Sequence, residues 1–401
     1  MTDEPLAPAP RPTAADGPLH DLQVVDISTV VAGPGCARYL ADFGADVIKV
    51  ERPGAGDTTR SMGWVDPADD VTLWWKLIGR NKRTVVLDLK APADLAALRQ
   101  LLVTADVLVE NFRPGTLERL GLAPDDLLTA NPRLVITRVS GFGQDGPYAG
   151  RPGFATLAEA MSGFAAINGE PDGAPLLPPI ALTDEVTAIV AAFATMVALH
   201  SGVGQVVDVN LLESLFQLMG PLMSVWETRG ELQPRLGSGI PYSVPRGTYR
   251  CADGEWVAIS TSAETVAVRV MDLIGLGDEP RFAGFSGRIE HREEIDARMA
   301  QWCAARPLPE VLATFEAAHA AAAPVYTMDQ LATDPHAVAR GVVVDVGGTK
   351  MQGLVARLSK TPGKLRWPGR PQGADTAQVL ADLTDQPDQP DQPDPKTPKL
   401  S

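Results

Sequence analysis

The sequence predicts an α/β protein, with a Rossmann-like parallel sheet in a large domain and a smaller α+β domain. Three observations carry this. Apolar runs of strand length alternate with helical stretches from Leu22 to Gly143, a Gly/Pro loop follows the first strand, and after Gly150 the texture changes to longer helices around one hairpin. LQVVDIS reads as a strand, TVVAGPG as a loop, CARYLADFG as an amphipathic helix and ADVIKV as the next strand, together a βαβ unit. TVVLDL (Thr84 to Leu89), a helix from Ala91 to Thr104, ADVLVENF (Ala105 to Phe112), a short helix and RLVITRVSGFG (Arg133 to Gly143) continue the alternation. Such a chain folds into a mostly parallel sheet covered by helices, and ligands of these sheets bind beyond the carboxyl ends of the strands.

Ala155 to Ile167 reads as a helix, Asn168 to Pro179 as a Gly/Pro loop and Asp184 to His200 as an Ala-rich helix, followed by a strand running into a helix (GQVVDVNLLESLFQLM). Pro234 to Pro245 is a Gly/Pro-rich crossover, and GTYRCADGEWVAIS is a hairpin turning at Asp253-Gly254. Glu264 to His319 is helical, and strands return near Gly341 to Arg357. The expected division is a disordered tail over 1–20, a large α/β domain over 21–233, a linker over 234–246, a small domain over 247–325, a return to the large domain over 326–384, and a second tail over 385–401. The last of these, DQPDQPDQPDPKTPKLS, cannot bury apolar surface.

Thirty-five basic against fifty acidic side chains give a net charge of −15, which argues against a general nucleic-acid binder. Cys36, Cys251 and Cys303 form no metal-ligand or disulfide pattern, so no metal site is expected and a reducing cytoplasm fits best. The N-terminus lacks the pattern of a signal peptide. The most apolar run, Val186 to Leu199, falls short of the roughly 20 residues that span a bilayer, so it reads as a buried helix and no membrane partner is expected.

Three constellations could carry chemistry. Gly33-Pro34-Gly35-Cys36-Ala37-Arg38, with Glu51 closing the second strand, has part of a dinucleotide fingerprint, but Arg38 occupies the third glycine position; a tight turn before a core helix explains it better. Asp184 stands where a Gly/Pro loop meets an apolar helix, so the helix dipole favours its ionised form by about 0.3–1 kcal/mol and it could act as a nucleophile. From the residue alone, an N-cap role for Asp184 or Thr183 is the favoured reading, since Ser, Thr, Asp and Asn dominate helix caps. Arg52, Arg80, Lys82, Arg83, Lys90, Arg113, Arg119 and Arg151 lie at or near strand ends, where cations in an acidic protein suggest a phosphorylated small molecule. The histidines form no catalytic group. Cys36 at a helix start could have a lowered thiol pKa, against the simpler role of a small buried residue.

Together, VVAGPGCARYLADFGADVIKVERPGAGDTTR (Val30 to Arg60), NKRTVVLDLK (Asn81 to Lys90), VENFRPGTLERLGL (Val109 to Leu122), GEPDGAPLLPPIALTDEVTAIVAA (Gly169 to Ala192) and GVGQVVDVNLLES (Gly202 to Ser214) resemble the class III CoA-transferase family, which includes formyl-CoA transferase, carnitine CoA-transferase and the α-methylacyl-CoA racemases. The resemblance runs from about Leu22 to Leu383. It implies an acyl-CoA:carboxylate CoA-transferase with no permanently bound cofactor, acting on an acyl-CoA and a carboxylic acid acceptor. Asp184 falls on the family's nucleophile, which implies an aspartyl-acyl anhydride and an aspartyl-CoA thioester. For coenzyme A the matching positions are Val31, Ala32, Arg52, Leu87, Asp88, Lys90, Asn111, Phe112, Arg113 and Arg119, with Arg151 where the family often carries a cation. An interlocked homodimer is also implied.

The alternatives are an acyl-CoA racemase or isomerase of the same fold and a non-catalytic acyl-CoA binding protein. Racemase members place a His in a Gly-His-Asp triplet where this chain has Gly153-Phe154-Ala155, and Phe154 cannot move a proton. The glycine-rich loop of formyl-CoA transferase has no counterpart in STSAET (Ser260 to Thr265). A dicarboxylate acceptor would need a second cation near Asp184, for which Arg246 is the candidate.

Overall fold

The computed structural model describes residues 7–384. The tail segments 1–6 and 385–401 lie outside the described residues. Two compact units emerge: residues 7–158, 180–215 and 342–384 form the first, and 159–179 with 216–341 the second.

In the first unit, β1 (Gln23–Asp26), α1 (Ala32–Asp42), β2 (Asp46–Glu51), β3 (Arg83–Val86), α2 (Pro92–Thr104), β4 (Val107–Glu110), β5 (Val135–Ser140), α3 (Leu182–Ser201) and β6 (Gln205–Asn210) follow in sequence. All six strands are parallel, in the spatial order β3-β2-β1-β4-β5-β6. The order reverses between β1 and β4, so the loops that leave these two strands diverge and open a crevice.

α1 begins four residues earlier than the Gly/Pro loop suggests, at Ala32. Pro34 falls inside the first turn, where its missing N–H has no intrahelical partner to lose. Gly35 allows close packing of α1 on α3, since a Cβ there would stand 2.8 Å from the Ala188 methyl. Ala37, Ala41, Ala191, Ala198 and Val209 belong to the same buried cluster, while Ile48, Leu98, Leu108 and Ile136 belong to the one on the sheet's other face.

α3 is 20 residues long, longer than its apolar run, and by length and composition alone it could cross a bilayer. It is buried on one face only. Ala188, Ala191, Thr195 and Ala198 are in the core, whereas Phe193 is 70% exposed and Ile189 and Val197 are exposed beside it.

At the carboxyl ends of β1 and β2 lies a fully buried layer of charge. Lys82 Nζ meets Asp26 Oδ2 at 2.9 Å, and Lys49 Nζ meets Asp57 Oδ2 at 2.9 Å and Asp26 Oδ1 at 3.7 Å. Burial alone would raise both carboxyls, but Lys49 and Lys82 hold Asp26, and Lys49 with the Thr59 N–H holds Asp57, below the ordinary carboxylate value. A folded pKa below the unfolded one contributes stability that is complete above the unfolded value, about 3.9, and is lost as pH falls through the folded values. The urea midpoint should therefore fall between pH 5 and pH 3, and fall less in Asp26→Asn; an equal fall in both proteins would remove the layer as its cause.

Residues 7–20, part of the tail expected to be disordered, are tied to the fold: the Ala9 N–H donates to Asp375 Oδ1 at 2.7 Å, and the Arg370 guanidinium donates to the Ala7 carbonyl at 2.6 Å. Asp375 also reaches the outer rim of β3. Its Oδ2 accepts from the Thr84 N–H at 2.8 Å, its own N–H donates to the Thr84 carbonyl at 3.0 Å, and Thr376 Oγ1 accepts from the Val86 N–H at 3.0 Å.

In the second unit β7 (Gly247–Arg250) and β8 (Trp256–Ser260) form the expected hairpin. Helices α4 (Glu264–Leu273), α5 (Arg292–Ala304) and α6 (Leu308–Ala317) follow, then β9 (Ala321–Pro324). β9 pairs antiparallel with β8 on the side away from β7, a strand the Ala-rich sequence does not announce. Tyr249, Val257, Val270, Met299, Val311 and Phe315 build this unit's core. Where boundaries at 233, 247 and 325 were expected, the second unit runs continuously over 216–341, and 159–179 joins it. There Arg235 donates to the Glu170 and Pro171 carbonyls, and Gly237 N–H to the Gly169 carbonyl.

Candidate functional site

The crevice at the strand-order reversal holds a cleft of about 260 Å³ within the first unit. Thr29 to Ala32 line it after β1, Asn111 to Pro114 after β4, and Val139 to Gly141 at the end of β5; Ala149, Arg151 to Ala155, Asp184 and Leu211 complete it. Of the candidate positions, Val31, Ala32, Asn111, Phe112, Arg113, Arg151 and Asp184 meet here. Arg52, Leu87, Asp88, Lys90 and Arg119 are outside this lining. The volume suits a small organic group rather than a whole nucleotide.

Asp184 is neither the cap nor outside the helix. The cap position is Ala181, whose side chain accepts no hydrogen bond, and Asp184 is the third residue of α3, half-buried in the first turn where the dipole favours an anion. Beside it, Glu185 accepts from Arg38 at 3.1 Å and from the Tyr39 hydroxyl at 3.0 Å, fixing the start of α3 on α1. Arg38, buried at the position where a dinucleotide fingerprint has its third glycine, thus serves a helix contact.

The basic set divides. Arg80 binds Asp42 at 2.5 and 3.0 Å, Arg83 binds Asp46 at 2.6 and 2.9 Å, and Lys82 pairs with Asp26; all three are buried. These three are corrected from ligand candidates to internal ion pairs. Arg52, Lys90, Arg113, Arg119 and Arg151 are exposed, and none of them forms a salt bridge among the described residues. Arg151 stacks on the Tyr148 ring at 3.8 Å, and Arg119 donates to Thr116 Oγ1 at 2.7 Å. An exposed guanidinium without a carboxylate partner is available to a phosphate or carboxylate.

Leu87 is 2% exposed, so its side chain belongs to the core. Asp88 Oδ1 accepts from the Lys90 N–H at 3.0 Å, shaping the turn that carries Lys90. Both amide atoms of Asn111 are engaged by Thr29: Oδ1 accepts from its N–H at 2.8 Å and Nδ2 donates to its carbonyl at 2.7 Å. Phe154 is in the cleft and 68% exposed. Burial pushes the Cys36 thiol up to about 12, so it is unreactive. Arg246 belongs to the second unit, where it donates to the Ser238 carbonyl at 2.8 Å and lines a different cavity of about 750 Å³. Among the described residues no cluster of His, Cys, Asp or Glu is arranged to hold a metal.

The residues that sequence reasoning missed are glycines. A Cβ on Gly153 would stand 2.4 Å from the Gly141 Cα, and the reverse contact is equally close. This backbone contact pins the Arg151 to Ala155 wall to the end of β5. Gly153→Ala should cost about 1–3 kcal/mol by overpacking and lower turnover at least tenfold by displacing that wall. Unchanged turnover with an unchanged denaturation midpoint would sink the assignment.

The model of CoA-transferase family III matches residues 19–376. A succinyl-CoA–D-citramalate CoA-transferase of Chloroflexus aurantiacus is 39% identical over 378 residues, covering 91% of this chain and 94% of its own. A succinate–glutarate CoA-transferase of Agrobacterium fabrum is 34% identical over 383 residues, covering 91% and 96%. Among solved structures, a CaiB/BaiF family protein of Brucella suis superposes with a TM-score of 0.82 at 29% identity, over 92% of this chain and all of that one.

Proposed function

The chain belongs to CoA-transferase family III, and from that premise we propose that it moves coenzyme A from an acyl-CoA to a carboxylic acid through covalent chemistry on Asp184. The Asp184 carboxylate attacks the thioester carbonyl; the C–S bond breaks, leaving CoA thiolate and a mixed anhydride. The thiolate attacks the Asp184 acyl carbon, releasing the donor acid and leaving an aspartyl-CoA thioester. The acceptor carboxylate attacks that thioester, freeing the thiolate again, and the thiolate takes the acceptor acyl group from the second anhydride. Asp184 returns as carboxylate, and no net proton moves. Each step keeps an activated acyl group, which is why nucleophilic catalysis suits exchange between two acids.

The observation that carries this reading is that Asp184, the loops after β1 and β4, and the exposed guanidiniums of Arg113 and Arg151 line one cleft. Arg52, Lys90, Arg113 and Arg119 are proposed for the phosphates of coenzyme A, and Arg151 for an anionic group nearer the cleft. The relatives' substrates support a dicarboxylic acid as donor or acceptor. Phe154, with no exchangeable proton, speaks against racemisation.

Incubation with succinyl-CoA and trapping by hydroxylamine or borohydride should label only the peptide containing Asp184. Label elsewhere, or none during turnover, would dismiss the covalent route. The protein works as a homodimer in this reading, the exposed Ile189, Phe193 and Val197 face of α3 being apolar enough to need cover; light scattering at the mass of one chain would refute that. Three free, buried cysteines suit a cytoplasmic location, which fractionation of the source cells would test.

A further inference from the structure

The segment between β1 and α1 carries backbone strain. Among the described residues, four other than glycine have positive φ, and Val30 at +72° is the β-branched one. A β-branched side chain in the left-handed region persists only where its surroundings hold it.

Two side chains do so, one bonded to Val30 and the other to its neighbour Thr29. Asp57 Oδ1 accepts from the Val30 N–H at 3.3 Å, and Asn111 grips both the N–H and the carbonyl of Thr29. Asp57 is itself fixed: Lys49 Nζ is 2.9 Å from its Oδ2, and its N–H donates to Glu51 Oε2 at 3.0 Å. Immediately before it, the Gly56 carbonyl accepts from Arg52 Nε at 3.1 Å. Asp57 therefore links the Arg52 turn to Val30, and Asn111 links Val30's neighbour to Arg113.

We propose that Asp57, acting with Asn111, is a positioning residue that holds Val30 in its strained conformation and so sets the Arg52, Val31 and Arg113 segments in the mutual placement acyl-CoA requires. This rests on the reading that the cleft takes acyl-CoA. A released Val30 relaxes toward an unstrained region, and binding must then draw on a minor population; a tenth of the competent form raises the apparent Kd about tenfold.

The test is CoA affinity by calorimetry on the whole chain, with Tm measured in parallel. Asp57→Asn retains an oxygen for the Val30 N–H but loses the charge facing Lys49, whereas Asp57→Ala loses both. Both variants should melt earlier, with Asp57→Ala binding CoA about tenfold more weakly and Asp57→Asn within about threefold of the parent. Equal weakening in the two, or parent affinity in Asp57→Ala, overturns the proposal. Should Asp57→Ala not fold, Val30→Pro decides. The proline ring locks φ at about −65° and removes the N–H that Asp57 accepts, so CoA binds about tenfold more weakly than in a Val30→Ala control, which keeps that N–H. Parent affinity in Val30→Pro overturns the proposal as well. Absence of CoA binding by the parent protein overturns the functional reading, and this inference falls with it.

Discussion

Asp184→Ala is expected to abolish CoA transfer, lowering kcat by at least about a thousandfold, and to leave CoA affinity within about tenfold of the parent. The asymmetry follows from geometry. Asp184 sits in the first turn of α3, where alanine preserves the helix, and the exposed cations Arg52, Lys90, Arg113 and Arg119 are carried by other segments. Asp184→Asn sharpens the test, since the amide keeps the shape but cannot form the anhydride. Chromatography of CoA thioesters gives turnover and calorimetry gives affinity. Full turnover in either variant removes Asp184 from the mechanism, and lost CoA affinity with a normal melting curve assigns it to binding instead.

Asp26→Ala is expected to be the most damaging change away from the cleft. Asp26 is fully buried and shared by two ammonium groups, Lys82 at 2.9 Å and Lys49 at 3.7 Å. Its removal leaves two buried cations facing one carboxylate, Asp57. Breaking a buried ionic group on one side costs about 3–5 kcal/mol, which for a unit of this size lowers Tm by roughly 6–20 °C. Asp26→Ala with Lys82→Met should recover part of the loss, because the second change removes one uncompensated charge. A denaturant midpoint within error of the parent's in the single variant would show that the layer is not structural.

The βαβ rhythm from β1 to β6 was legible because its period and its loops agree, and the cleft's place at the β1/β4 reversal follows from that order. The start of α1 was not legible, since a proline and two glycines look like a loop until the helix's first turn absorbs them. Ala321–Pro324 has no strand propensity and pairs only because β8 offers an edge. Arg80, Lys82 and Arg83 resemble ligand cations in sequence. Their acids lie 38, 56 and 37 positions away, a separation no local pattern reports. Asp184 alone read as either cap or nucleophile, and only the resemblance decided for the nucleophile; its seat in the cleft came from the fold. Val30's strain has no signature at all, because valine is the wrong residue for that conformation.

The pairing of Asp375 and Thr376 with β3 bears on how the protein is made. Thr84 and its partner Asp375 are 291 positions apart. At about 5–20 residues per second, the ribosome needs roughly 15–60 s to deliver the second after the first. Throughout that interval the nascent chain shows a β rim with unanswered N–H groups, the kind of edge to which other chains adhere. A chaperone that shields this rim during translation would raise the yield of active enzyme, and a chain stopped before Asp375 would be recovered in aggregates.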